Sequence, residues 1–297
     1  MINKETLNKL ISRASKELKI YEVKPQNNYY YKALEYLKNQ NYLDFEKLIK
    51  ILKFSENNLY PIGYLMVNKD NKSVGFMGTF FSARYLENKN VIICNIHTWI
   101  VDKIYRINSF FLIVPIINKK YNLTAFTPVK TLEGLLLKCG LRKQALNYKL
   151  VLNFPFFTSY KNELYIEIED KKIRDRLSKN ELNYYDKFSD DHFIKILISD
   201  KKKEYYTFII SSKIKKKGIN VLNFFYVSNY SFFKLSWKNI SYLISRKYKV
   251  FLFSEYFFEN QESIFSSNIS VNIKKNFYSN NEINLKNLDI LNSDLIL

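Results

Sequence analysis

The sequence predicts an α+β protein of two mixed-sheet domains, and three observations carry that prediction. At 297 residues the chain is long enough for two separate cores. Stretches with helical spacing of apolar residues alternate with stretches of two-residue alternation along its length. All five prolines lie at or before Pro155, and only Gly218 of the six glycines lies beyond Gly140. That shift sets a boundary in the proline-broken segment 153–159, giving domains 1–153 and 154–297.

In the first domain, Leu7, Leu10, Ile11, Ala14 and Leu18 predict a helix over 3–18, and 21–24 alternates as a short strand toward Pro25. Helices are expected at 28–39 and 44–53, the second with Phe45, Leu48, Ile49, Ile51 and Leu52 on one side. Residues 63–67 and 73–81, joined by the polar turn 68–72, read as a β-hairpin. The run 91–101 is long, β-branched and apolar, as in a central strand covered on both faces. A helix at 108–118, a strand at 123–126, a helix at 130–139 closed by Gly140 and a strand at 148–153 complete the domain. The second domain reads as a helix at 171–187, strands at 192–198, 204–212 and 219–227, a helix at 231–246 and a strand at 248–254. This order matches residues 44–126, so a degenerate tandem duplication stands beside the alternative of two unrelated domains. Beyond residue 266 there is only a weak strand signal at 269–273.

Hydrophobic residues at 47% and aromatics at 17% supply ample apolar surface for packed cores. The start has no secretory pattern, and the densest apolar stretch, 110–117, falls far short of the ~20 residues of a membrane span. No membrane insertion and a cytoplasmic location are therefore expected. Cys94 and Cys139 are too few for a disulfide framework and lack metal-ligand spacing, so no metal is expected. The net charge of +19 comes with enrichment of Asn, Ile, Tyr and Phe, and the lysines are spread out. It reads as a solvated surface of biased composition, with nucleic-acid binding as a lesser reading carried by Lys201–Lys203, Lys215–Lys217 and the nearby Tyr205, Tyr206 and Phe208.

The segment from Trp99 to Ser109 joins the central strand to a helix through a sharp polar turn containing Arg106. Such a turn aims backbone N–H groups and a helix N-terminus at one point, which suits a phosphate. With the later helix ending Leu137-Lys138-Cys139-Gly140-Leu141, it resembles the Gcn5-related N-acetyltransferase superfamily, and the element order from 18 to 153 is similar to that family's. The resemblance implies an acyl-CoA N-acyltransferase fold, with acetyl-CoA or another acyl-CoA as co-substrate and a small-molecule amine as acceptor. It assigns the pantetheine arm to the backbone of Trp99, Ile100 and Val101. It assigns the phosphates to Arg106, Ile107, Asn108, Ser109, Phe110 and Phe111, with Thr127 opening the later helix. Ser109 and Phe111 stand at the family's glycine positions, and Leu136 at the place of a tyrosine that protonates the leaving thiolate.

Alternation along the strand puts Asn95, His97 and Trp99 on one face and Cys94, Ile96 and Thr98 on the other. His97 is the expected base for the acceptor amine, with Asn95 as its alternative or as a substrate-orienting group. Three functions follow as expectations: an N-acyltransferase, a catalytically silent ligand- or partner-binding relative of the same fold, and a nucleic-acid-binding protein.

Overall fold

The computed structural model describes residues 17–40, 45–55, 59–86, 89–119, 121–126, 128–153, 163–188, 192–216, 218–259, 261–265 and 270–280. The chain divides into two compact units. Among described residues, unit 1 runs to Gln144 and takes in Asn276 onward, and unit 2 is Ala145–Lys275. The sequence-based cut after 153 thus differs in two ways. The strand predicted at 148–153 belongs to unit 2, and a segment near the end of the chain belongs to unit 1.

Unit 1 is built from β1 (Leu18–Val23), α1 (Asn28–Lys38), α2 (Phe45–Ser55), β2 (Gly63–Asn68), β3 (Ser73–Leu86), β4 (Lys89–Val101), a 3-10 helix (Lys103–Leu112), α3 (Val114–Asn118), β5 (Asn122–Phe126) and α4 (Lys130–Lys138). The end of β12 (Ser270–Ser279) joins it, and the strands lie in the order β1-β2-β3-β4-β5-β12. Neighbours are antiparallel except β4 and β5, which are parallel. One face of the sheet packs Leu65, Val67, Phe76 and Ile100 against Ala33, Tyr36 and Leu37 of α1 and Leu48 and Leu52 of α2. The other packs Met66, Met77, Cys94, Ile96 and Val101 under Phe111, Leu112, Ile116 and Leu136. Each such large side chain contributes about 1.5–3 kcal/mol by leaving water.

Unit 2 contains β6 (Arg142–Leu152) from Ala145, then β7 (Leu164–Glu167), α5 (Asp170–Arg174), α6 (Lys179–Lys187), β8 (Phe193–Asp200), β9 (Tyr206–Lys216), β10 (Ile219–Val227), α7 (Tyr230–Tyr248) and β11 (Leu252–Phe258). Its strand order is β6-β11-β10-β9-β8-β7, with only β10 and β11 parallel. Reading β7-β8-β9-β10-β11-β6 against β1-β2-β3-β4-β5-β12, strand order and direction repeat. The repetition reaches side chains. At the parallel pair, Thr124 Oγ1 donates to Asn95 Oδ1 in unit 1 (3.3 Å), and Ser254 Oγ donates to Asn223 Oδ1 in unit 2 (2.9 Å). Both pairs are in register across their strands and buried. The two units share one plan.

Local structure departs from expectation at five places. The predicted helix 3–18 lies outside the described residues as far as 16, and Leu18 already begins β1. The predicted helix 108–118 is a 3-10 helix over 103–112 followed by α3, because Pro115 in the first turn of α3 cannot continue a preceding helix. The predicted helix 171–187 is two helices, since Ser178 and Glu181 form a capping box that starts α6 afresh. The helix expected to end at 246 runs to Tyr248, and Lys249 terminates it in a left-handed conformation (φ 52°). That delays the next strand to 252. Finally, the weak signal at 269–273 is the first half of a ten-residue strand, β12.

Candidate active site

The site is organised by what happens to β4 between Asn95 and Trp99. On one side β4 pairs with β3 along its length. On the other it pairs with β5 only at Ile93, Cys94 and Asn95, opposite Asn122, Leu123 and Thr124. Beyond Asn95 the parallel strands part, and among the described residues the β5-facing edge of residues 96–101 has no strand partner in that register. At the same place β3 and β4 slip by one residue: Met77 faces Trp99 and Gly78 faces His97, leaving Thr98 as the extra residue of a bulge, with φ 44°.

The bulge corrects the predicted facing. Trp99 does not share a face with Asn95 and His97; it packs with Cys94, Ile96, Val101 and Phe111 on the opposite side. One inserted residue reverses the alternation for everything after it. Ile100 and Val101 are both buried, so they offer a ligand their backbone and not their side chains.

His97 is 4% exposed. Its imidazole lies directly over Gly78, so close that a Cβ built on that glycine would fall 2.2 Å from Cε1 and 2.5 Å from Nδ1. Glycine at 78 is therefore a condition of this histidine's position. Nδ1 is 2.9 Å from Thr98 Oγ1, while Nε2 is buried with no hydrogen-bond partner. Burial lowers the pKa of His97 to about 4, against the opposing effect of the Thr79 backbone, so the ring is neutral at pH 7. Trp99 Nε1 is a second buried ring nitrogen without a hydrogen-bond partner. Asn95 is fully buried and accepts from Thr124.

The segment after β4, to which the phosphates were assigned, is partly exposed. Lys103, Ile104, Arg106 and Ile107 are exposed, and Asn108, Ser109 and Phe110 are half-buried. Arg106 Nε donates back to the carbonyl of Val101 (3.4 Å), which holds the guanidinium at the end of the strand. Phe111 turns inward: it is 8% exposed, joins the core and packs on Phe110 at 4.1 Å between ring centroids. Thr127 lies outside the described residues. Leu136 is 1% exposed in the same core, so α4 presents no proton donor there. Both thiols are raised by burial, Cys139 to about 11, and neither is a ready nucleophile. Among the described residues no group of His, Cys, Asp and Glu side chains could hold a metal, and no helix is long and apolar enough to cross a membrane.

The lysine runs do not make one surface. Lys201–Lys203 precede β9 and Lys215 lies near its far end, roughly 30 Å away at ~3.3 Å per residue, and Phe208 is fully buried. Sequence reasoning missed Thr98, Gly78 and Thr124. Of these only Gly78 left a signal, a glycine inside a strand, which marks a bulge or a close approach.

A mixed sheet whose fourth strand bulges and then parts from a parallel fifth has the acyl-CoA N-acyltransferase fold of the Gcn5-related N-acetyltransferases, and solved structures bear this out. The chain is similar to a GCN5-related N-acetyltransferase from Anabaena variabilis at a TM-score of 0.59 and 10% identity, over 88% of this chain and 72% of that one. A GCN5-related N-acetyltransferase from Kribbella flavida gives 0.52 at 9% identity, over 90% and 71%. The N-myristoyltransferase of Saccharomyces cerevisiae with bound myristoyl-CoA gives 0.50 at 11% identity, over 93% and 85%. No protein-family model matches the sequence, and no curated protein does. At these identities the likeness is one of fold.

Proposed function

We propose that this protein is an N-acyltransferase that takes acyl-CoA at the gap where β4 leaves β5 and passes the acyl group to a small-molecule amine. The observation that carries this reading is the open edge of β4 beyond Asn95; His97, whose buried Nε2 has no hydrogen-bond partner, lies on that stretch of the strand. In this reading the amides of pantetheine pair with the backbone of residues 99–101. Arg106, Asn108 and Ser109 hold the phosphates, with the exposed charge of Lys103 nearby.

The reaction needs little from side chains. The amine nitrogen attacks the thioester carbonyl, a C–N bond forms, the C–S bond breaks, and the thiolate leaves. The nitrogen's proton passes to His97 Nε2, and solvent protonates the thiolate, which needs no dedicated acid because it is a far better leaving group than an alkoxide. A ring with its pKa near 4 is a weak base, so it serves an amine that arrives uncharged and loses its proton as the C–N bond forms.

A second reading, a silent ligand-binding member of the same fold, is favoured by the buried Phe111 and Leu136 at positions where the family has glycine and tyrosine. Calorimetric titration with acetyl-CoA and with myristoyl-CoA, followed by a free-thiol assay against a panel of amines, separates the two. Micromolar binding that is lost in Ser109→Trp, with thiol release, supports the transferase. Binding without thiol release on any amine, or no binding of either acyl-CoA, overturns the transferase and supports the silent reading.

A further inference from the structure

Unit 2 repeats the parting of strands. β10 and β11 are in register from Val221 to Phe224, opposite Leu252 to Glu255, and then separate, and Phe225 is the extra residue of a bulge against β9. Here a later segment of the chain packs against the last paired residue of β10. Phe265, 2% exposed, sets its ring 4.7 Å from Trp237 of α7 and 5.5 Å from Phe224, the last paired residue of β10.

The segment 261–265 is held through polar contacts at nearly every residue. Gln261 N donates to Phe258 O (2.9 Å), and Glu262 pairs with Lys234 (2.6 Å). Tyr230 Oη donates to the carbonyls of Glu262 and Ser263 (2.9 and 2.7 Å). Lys149 Nζ donates to Phe265 O (2.8 Å). At the centre stands Glu255, 4% exposed on β11, which accepts from Ser263 Oγ and, through Oε2, from Ile264 N (3.1 Å).

We propose that residues 261–265 form a strap closing the cleft of unit 2, with Glu255 as its latch, and that the strap opens as the pH rises. Burial raises the pKa of Glu255 from 4.5 to about 7, against the hydrogen bonds from Ser263 and Ile264 and the nearby charge of Lys149. Tyr230 of α7 also interacts with Glu255, and the Lys234–Glu262 ion pair lies next to Tyr230 and Lys149. Opening hydrates the carboxylate and returns it toward its ordinary range. The closed form therefore binds the extra proton: it is favoured below about 4.5, and that advantage is lost as the pH rises toward 7. This inference is independent of acyl-CoA binding in unit 1.

Hydrogen exchange by mass spectrometry, corrected for intrinsic rates and run on the full chain between pH 5 and 8, tests it. In the native protein the protection of the 261–265 amides should fall with rising pH by roughly one to two orders of magnitude, within the ~300-fold limit of a 2.5-unit difference (7 − 4.5). The amides of Phe208–Ile210 in β9 should not follow. Glu255→Gln, which keeps the shape and the acceptor for Ile264, should abolish the pH dependence. Ser263→Ala should lower protection at every pH and leave the dependence in place. Flat protection in the native protein, the same slope in Glu255→Gln, or a parallel change in β9 would overturn the proposal.

Discussion

Substituting Gly78 by alanine tests the packing that fixes the candidate base. The new methyl would lie 2.2 Å from His97 Cε1 and 2.7 Å from Nε2, so the ring must move roughly 1 Å or more to reach ordinary contact at ~3.5 Å. His97 is buried and cannot swing freely into solvent. The cost is that of overpacking a dense core, about 1–3 kcal/mol, and it should appear as a lower urea midpoint at unchanged m. The decisive control is the double variant. His97→Ala opens the space the methyl needs, so Gly78→Ala should cost less in that background, with a coupling of about 0.5–3 kcal/mol in a double-mutant cycle. Strict additivity, or a Gly78→Ala midpoint equal to the native one, would refute the geometry on which the base assignment rests.

Further outcomes are expected from the same structure. Because the folded pKa of His97 is depressed from 6.5 to about 4, stability should be complete above pH 6.5 and fall as the pH drops toward 4, by up to roughly 3 kcal/mol. Denaturant midpoints measured across that window should lose this slope in His97→Gln. Ser254→Ala should destabilise unit 2 by about 1–3 kcal/mol, because it strands the buried carbonyl of Asn223, and Ser254→Thr should recover part of the loss. Ser178→Ala, which removes the hydroxyl half of the capping box and leaves the backbone N–H of residue 178 on the Glu181 carboxylate, should cost about 1 kcal/mol in thermal or denaturant unfolding, and Ser178→Asp should cost less.

The amino-acid sequence by itself determined the element classes, the mixed-sheet plan and the place of the polar turn after the central strand. These are written in local patterns: the β-branched run of β4, the hairpin at 63–81, and the polar residues after Val101. It also held the first sign of the repeated strand plan, the helix-β-β-β-α-β order found twice. What it could not hold was any feature set by partners far away along the chain. The long β12 has a polar, weakly strand-like sequence, and its end is a strand of unit 1 because Phe277, Tyr278 and Ser279 find Phe126, Ala125 and Thr124. The repeated Asn95–Thr124 and Asn223–Ser254 pairs join strands 29 and 31 residues apart, with no shared motif to announce them. The facing of Trp99 turned on a single bulge residue, Thr98, whose one-residue slip against β3 no periodicity can foretell. In the sequence Glu255 lies just past the strand expected at 248–254, with no local mark of burial. Only burial beneath residues 261–265, a consequence of packing and not of composition, moves its titration toward neutrality.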